Sequence, residues 1–161
     1  MTIKVGDRLP SVTLRQVTPE GPKEITTEQF FAGKKVALFA VPGAFTPACS
    51  QRHLPGYVDK ASDIKAKGID EVACVAVNDP AVMGAWGKEQ RTEGKVSMLA
   101  DGSGDFVRAL GLELDLTKNG LGIRSKRYSM LVDNGVVKSL NIEQQPGQVD
   151  TSSAETMLKA L

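Results

Sequence analysis

Two apolar runs organise the chain, Val36-Ala37-Leu38-Phe39-Ala40-Val41 and Val72-Ala73-Cys74-Val75-Ala76-Val77. The second is apolar at successive positions and so on both faces, the mark of a central strand covered by helices on either side. Around them lie weaker patterns. Val12 to Val17 alternates as a strand and is turned into a hairpin by Pro19-Glu20-Gly21-Pro22. Thr27 is expected to cap a short helix running through Phe31, closed by Gly33. After the first apolar run, a helix opened by Thr46 extends to about Lys67 and stops at Gly68, with Leu54-Pro55-Gly56 kinking it.

Beyond the second run, Asn78-Asp79-Pro80 starts a helix that carries Trp86 and ends near Glu89. Val96 to Leu99 is a short strand, and Asp101-Gly102-Ser103-Gly104 turns into a helix from Asp105 to Leu110. Tyr128–Asp133 and Val136–Asn141 flank Asn134-Gly135, a pair that favours the type I′ turn of a hairpin. Ser152 or Ser153 caps a last amphipathic helix ending at Leu161. This order of elements is that of a thioredoxin-like α/β fold with extra N-terminal strands and an inserted helix. No repeat or linker interrupts it, so residues 1–161 read as a single domain.

Charge and composition narrow the functional classes. Twenty basic and 19 acidic residues leave a net charge of +1, without the basic footprint of a nucleic-acid binder or a polybasic membrane anchor. No apolar run reaches the length of a membrane-spanning helix. Residues 1–7 are too polar for a secretory signal and lack the character of a transit peptide, so the expected location is cytoplasmic. Two cysteines and one histidine exclude a disulfide scaffold and argue against a metal centre, and no cofactor is implied.

The chemistry therefore centres on Val41-Pro42-Gly43-Ala44-Phe45-Thr46-Pro47-Ala48-Cys49. With Thr46 as N-cap and Pro47 at the first helical position, Cys49 is the third residue of the helix, among unpaired N–H groups that favour a thiolate. A free thiol of ordinary acidity is only a few per cent thiolate at neutral pH. A helix end contributes about 0.3–1 kcal/mol, or up to about 2 kcal/mol when partly buried. A largely ionised thiolate needs a further cation or strong donor. His53 lies four residues on, along the same helical face, and Arg124-Ser125-Lys126-Arg127 precedes a later strand. An arginine fits better, being permanently charged and forked. His53 then reads as pocket wall rather than base.

The motif resembles that of the peroxiredoxins, specifically the type II, Prx5-like (atypical) branch, whose Pro-x-x-x-Thr-x-x-Cys pattern is met by Pro42, Thr46 and Cys49. Similarity extends to His53-Leu54-Pro55-Gly56-Tyr57, Val77-Asn78-Asp79-Pro80, Ala85-Trp86, Ala100-Asp101-Gly102 and Leu121 through Tyr128, nearly the whole chain. The resemblance implies that Cys49 is the peroxidatic cysteine, that Thr46 positions the peroxide and that Arg127 is the arginine of the site, with Arg124 a competitor for that role. Pro42 and Gly43 would close the substrate pocket. The implied product is a Cys49 sulfenic acid plus water or an alcohol, with Thr46, the Cys49 N–H and Arg127 as donors to the leaving oxygen.

The resemblance also implies a reductant and leaves two routes open. Animal members carry a resolving cysteine near the C-terminus, but Val149-Asp150-Thr151-Ser152-Ser153 has none. Cys74 matches the second cysteine of plant-like members, although it falls on an apolar strand. Direct reduction by glutathione or glutaredoxin is the favoured route, and a Cys49–Cys74 disulfide reduced by thioredoxin is the other. A homodimer is implied, with Phe45, Trp86 and Leu121 as candidates either for its interface or for the core. The expected activity is a thiol peroxidase acting on hydrogen peroxide and small alkyl hydroperoxides. The non-enzymatic alternative is a redox sensor or holdase signalling through oxidised Cys49. A disulfide oxidoreductase is disfavoured, since no Cys-x-x-Cys occurs and position 46 is Thr46.

Overall fold

A computed structural model describes residues 2–161. The two apolar runs form neighbouring parallel strands, β3 (Lys35–Ala40) and β4 (Glu71–Ala76), at the centre of a seven-stranded sheet. The sheet also contains β1 (Thr13–Thr18), β2 (Gly21–Thr26), β5 (Ser97–Ala100), β8 (Tyr128–Asp133) and β9 (Val136–Ile142), in the order β2-β1-β5-β4-β3-β8-β9. Strands β3, β4 and β5 are parallel, and the outer pairings are antiparallel. This is the thioredoxin-like architecture expected from the order of elements. A separate two-stranded ribbon pairs β6 (Glu113–Leu116) with β7 (Gly122–Ser125) across a short 3₁₀ turn. These strands were not expected, because their few apolar residues show no run long enough to mark them.

Helices cover both faces, as the apolar character of β4 requires. Phe30 and Phe31 of α1 (Thr27–Phe31), with Phe106, Val107 and Leu110 of α4 (Asp105–Leu110), pack on one face against Ala73 and Val75. On the other face, α2 (Leu54–Ala66), α3 (Pro80–Glu89) and α5 (Ala154–Ala160) bring Tyr57, Ile64, Met83, Trp86 and Met157 against Phe39, Val72 and Cys74. Strand alternation thus turns Cys74 towards the face that carries Cys49.

One local expectation is corrected here and an open one is decided. Thr26, not Thr27, caps α1: its hydroxyl accepts from the Gln29 N–H while the Gln29 side chain accepts from the Thr26 N–H. Thr27 is buried and donates to the Pro10 carbonyl instead. At the C-terminus Ser153 is the cap and Ser152 turns inward. The Asn134-Gly135 hairpin is as expected, with φ of 49° and 82° in the left-handed region that a type I′ turn requires.

The long helix begins at Pro47, as expected, but its irregularity is a π-turn rather than a simple kink. Cys49–His53 is wound as a π-helix, closed by the Leu54 N–H on the Cys49 carbonyl, before α2 proceeds regularly. Pro55 supplies the reason. It has no N–H for the Gln51 carbonyl and its ring crowds that carbonyl, a conflict that a widened turn relieves.

Candidate active site

The site lies beyond the C-terminal ends of the parallel strands, where open α/β sheets bind their ligands. Strand β3 ends at Ala40, and Val41-Pro42-Gly43-Ala44-Phe45 carries the chain into the helix. The turn is held from outside by the Asn78 side-chain oxygen, which accepts from the Ala44 N–H at 2.9 Å. Phe45 adopts φ of +64°, a conformation rarely taken by a residue with a Cβ. The Ser50 N–H is bonded to the Thr46 carbonyl at 2.9 Å, which places Cys49 in the first turn.

Cys49 is fully buried, and its sulfur accepts a hydrogen bond from Nη2 of Arg127 at 3.1 Å. Arg127 spends each guanidinium nitrogen on a different residue, two of them in the Cys49–His53 turn. Nη1 donates to Nδ1 of His53 at 2.9 Å, and Nε donates to the Pro146 carbonyl at 2.9 Å. The fork is thereby fixed in position and in plane, with its charge beside the sulfur. Arg124, the competing arginine, donates to the carbonyls of Leu121 at 2.8 Å and Pro42 at 3.4 Å instead of to the sulfur.

The Thr46 hydroxyl differs from its expected capping role. It donates to the Gly43 carbonyl at 2.7 Å, which occupies its proton and leaves its lone pairs as acceptors. Pro42 and Gly43 are both buried in the turn. A Cβ on Gly43 would lie 2.9 Å from Arg124 Nη1 and 3.2 Å from the Thr46 methyl, so this wall has no room for a side chain without displacing one of them.

His53 is enclosed. Its Nε2 donates to the Ser152 carbonyl at 3.0 Å, and its Nδ1 must therefore be the acceptor facing Arg127. Burial, followed by the charge of Arg127, pushes its pKa down to about 3. The ring is neutral at physiological pH and has no proton-accepting nitrogen free, so it is a wall and a prop rather than a base. Tyr57 also donates to the Ser152 carbonyl, at 2.8 Å, and stacks on Phe39 at a centroid distance of 4.0 Å and an interplanar angle of 5°.

Cys74 is buried in β4 opposite Phe39. Burial, then the nearby Cys49, pushes its thiol well above the usual range, although Arg127 opposes this. Both cysteines are free thiols. Trp86 is fully buried and its indole N–H donates to the Ser50 hydroxyl at 2.9 Å, whereas Phe45 remains 49% exposed. Among the described residues, no cluster of three or more metal-ligating side chains occurs, and no helix is long and apolar enough to cross a membrane.

Sequence reasoning missed Glu143, Pro146 and the inward role of Ser152. Each acts through a loop whose path over the site no local pattern signals. The Glu143 carboxylate accepts from the N–H of Asp150 at 2.6 Å, and from the N–H and hydroxyl of Ser152 at 2.8 and 2.6 Å.

Comparison with known proteins matches residues 4–158 to the Redoxin family. Peroxiredoxin-2E, chloroplastic, of Arabidopsis thaliana is 52% identical over 164 residues, covering 99% of this chain and 70% of the relative. Peroxiredoxin-2D of the same plant is 49% identical, covering 99% and 98%. Among solved structures, reduced Prx3 from Vibrio vulnificus in complex with H2O2 is 52% identical, with a TM-score of 0.93 and 99% of both chains covered. Peroxiredoxin 5 from Alvinella pompejana is 40% identical, with a TM-score of 0.86 and 98% and 97% covered.

Proposed function

The chain belongs to the redoxin family, among its peroxiredoxins, and we propose that it reduces hydrogen peroxide and small alkyl hydroperoxides with Cys49 as the nucleophile. The observation that carries this reading is the contact of Arg127 Nη2 with the Cys49 sulfur at the head of a helix. The thiolate attacks one peroxide oxygen in line, an S–O bond forms and the O–O bond breaks. Cys49 is oxidised to a sulfenic acid, and the departing oxygen takes a proton and leaves as water or an alcohol. The Thr46 lone pairs orient the peroxide by accepting its O–H. The Arg127 guanidinium and the N–H groups of the first helical turn stabilise the charge that grows on the departing oxygen. Pro42 and Gly43 form the wall that confines the peroxide.

Peroxiredoxins are turned over by thioredoxin-like reductants. For this chain, direct reduction of the sulfenic acid by glutathione or glutaredoxin is the proposed main route. The burial of Cys74 and its raised thiol pKa support that choice, because a protonated thiol within a central strand is a poor nucleophile. A second copy of the chain is the proposed partner. Phe45 at 49% and Ile123 at 42% exposure are large apolar side chains left at the surface, and Arg124, next to Ile123, reaches the Pro42 carbonyl. Trp86 belongs to the core rather than to that surface. The proposed location is the cytoplasm, where thiols are kept reduced. A purely non-enzymatic sensor is disfavoured, because the relatives named above are peroxiredoxins.

The test is intact mass after one equivalent of hydrogen peroxide, without reductant, beside the Cys49→Ser variant. Gain of one oxygen in the native protein alone is expected. Loss of two hydrogens would replace the glutathione route by Cys49–Cys74 closure. No rapid change in the native protein would overturn the peroxidase mechanism.

A further inference from the structure

Asp101 and Glu143 are the buried carboxylates among the described residues. Asp101 accepts from the N–H groups of Phe106 and Val107, at the start of α4 on the far face of the sheet. Glu143 lies beside the active site. Its own N–H is bonded to the Arg127 carbonyl at 2.9 Å, so it extends the β8–β9 pairing by one step. Its side chain crosses the loop that follows. Three donors, the Asp150 N–H, the Ser152 N–H and the Ser152 hydroxyl, converge on a single carboxylate oxygen. No salt bridge to Glu143 occurs among the described residues. Burial opposes its charge, and the bonds from Ser152 and Asp150 outweigh that opposition and hold its pKa below the usual range.

The turn that Glu143 closes presents the Ser152 carbonyl to both His53 Nε2 and Tyr57. A carbonyl only accepts, so its position decides which imidazole nitrogen carries the proton. With the proton on Nε2, Nδ1 is free to accept from Arg127. With the proton on Nδ1, an N–H would face the Arg127 N–H, and the guanidinium would lose the contact that steadies it against Cys49. The loop 143–153 also holds Arg127 directly, through Pro146.

We propose that Glu143 is a positioning residue of the peroxidase, which clasps the Asp150–Ser152 turn so that the Ser152 carbonyl fixes the His53 tautomer holding Arg127 on Cys49. This rests on the reading of Cys49 as the peroxide-reducing nucleophile. Charge makes the clasp strong, since hydrogen bonds to an ionised acceptor are about twice as strong as neutral ones. An amide of the same shape would hold three converging donors poorly.

His53 is the only histidine of the chain, so long-range 1H–15N spectra report its tautomer without assignment. The native protein is expected to show one neutral, Nε2-protonated form. In Glu143→Gln, a mixture of tautomers is expected, together with a fall on the order of 10-fold or more in the rate constant for Cys49 oxidation by hydrogen peroxide, as misplacement of a reacting group predicts. Retention of the single tautomer overturns the proposal whether or not the rate falls. A mixed tautomer at the native oxidation rate overturns it too. If Glu143→Gln does not fold, Ser152→Ala decides, because it removes only the hydroxyl donor. Smaller changes in both readouts are expected, and absence of either refutes the clasp. Failure of the peroxidase reading is separable, since it would appear as native Cys49 resisting oxidation while the tautomer comparison remained readable.

Discussion

Arg127 Nη1 donates to His53 Nδ1 at 2.9 Å, so the arginine beside the Cys49 sulfur rests on a neutral imidazole rather than on a carboxylate. A carboxylate partner would offset the guanidinium charge, whereas the imidazole orients the fork and leaves its charge to the sulfur and, in the proposed reaction, to the developing oxyanion.

Burial of this imidazole, and after it the charge of Arg127, makes stability depend on pH. The His53 pKa is about 3 in the folded protein against 6.5 in the unfolded chain. Between these values the unfolded chain binds a proton that the folded protein refuses. This group's contribution is therefore fully present above pH 6.5 and is lost as pH falls towards 3, at about 1.4 kcal/mol per unit. Urea midpoints of the native protein and His53→Gln at pH 7 and pH 4.5 will check this. The expected outcome is a shallower acid-side loss in the variant, and equal losses would contradict the neutral, buried ring.

Arg127→Lys keeps the charge but cannot make three contacts with one planar group. Its rate constant for oxidation by hydrogen peroxide should fall by about 10²–10³-fold, the range for loss of one preorganised donor to a developing oxyanion. Trp86, the only tryptophan, bonds to Ser50 beside Cys49 and offers a fluorescence signal for stopped-flow measurement. A rate within a few-fold of native would show that charge alone suffices.

Thr46→Val preserves shape and removes both the bond to Gly43 and the acceptor offered to the peroxide. A loss of about 100-fold in kcat/KM is expected, with Thr46→Ser retaining most of the activity. Steady-state turnover with a glutathione-coupled assay separates the two variants. Equal activity would remove Thr46 from peroxide positioning.

Cys74 should resist modification in the folded state, because its thiol is pushed up within a central strand, whereas the equally buried Cys49 sulfur accepts from Arg127. Iodoacetamide on reduced native protein should give a single adduct at Cys49, and a second only in denaturant. Rapid double labelling would reopen a resolving role for Cys74 and favour thioredoxin as reductant.

Much of this site was readable because its signals are local. The run Val36–Val41, the Thr46-Pro47 helix start and the three-residue step to Cys49 lie within one stretch of chain, where turn sterics and helix-end dipoles act between near neighbours. The apolar character of Val72–Ala76 likewise required a strand covered on both faces. Two cysteines in 161 residues are too few for a disulfide scaffold, a limit that composition alone sets.

Other features were decided only in three dimensions. Sequence left both Arg124 and Arg127 as partners for the sulfur. Strand β8 follows Arg127 directly and pairs with β3, which brings Arg127 to Cys49 while Arg124, on β7, meets the Pro42 carbonyl. The roles of Glu143, Pro146 and Ser152 depend on a loop folding back over α2. Its bonds join residues far apart in the chain, as between His53 and Ser152, and no periodicity encodes such a meeting. Secondary structure and the placement of Cys49 in the first turn of its helix follow from neighbours along the chain. The orientation of the arginine and the tautomer of the histidine follow from contacts that exist only once the sheet and its covering loop have assembled.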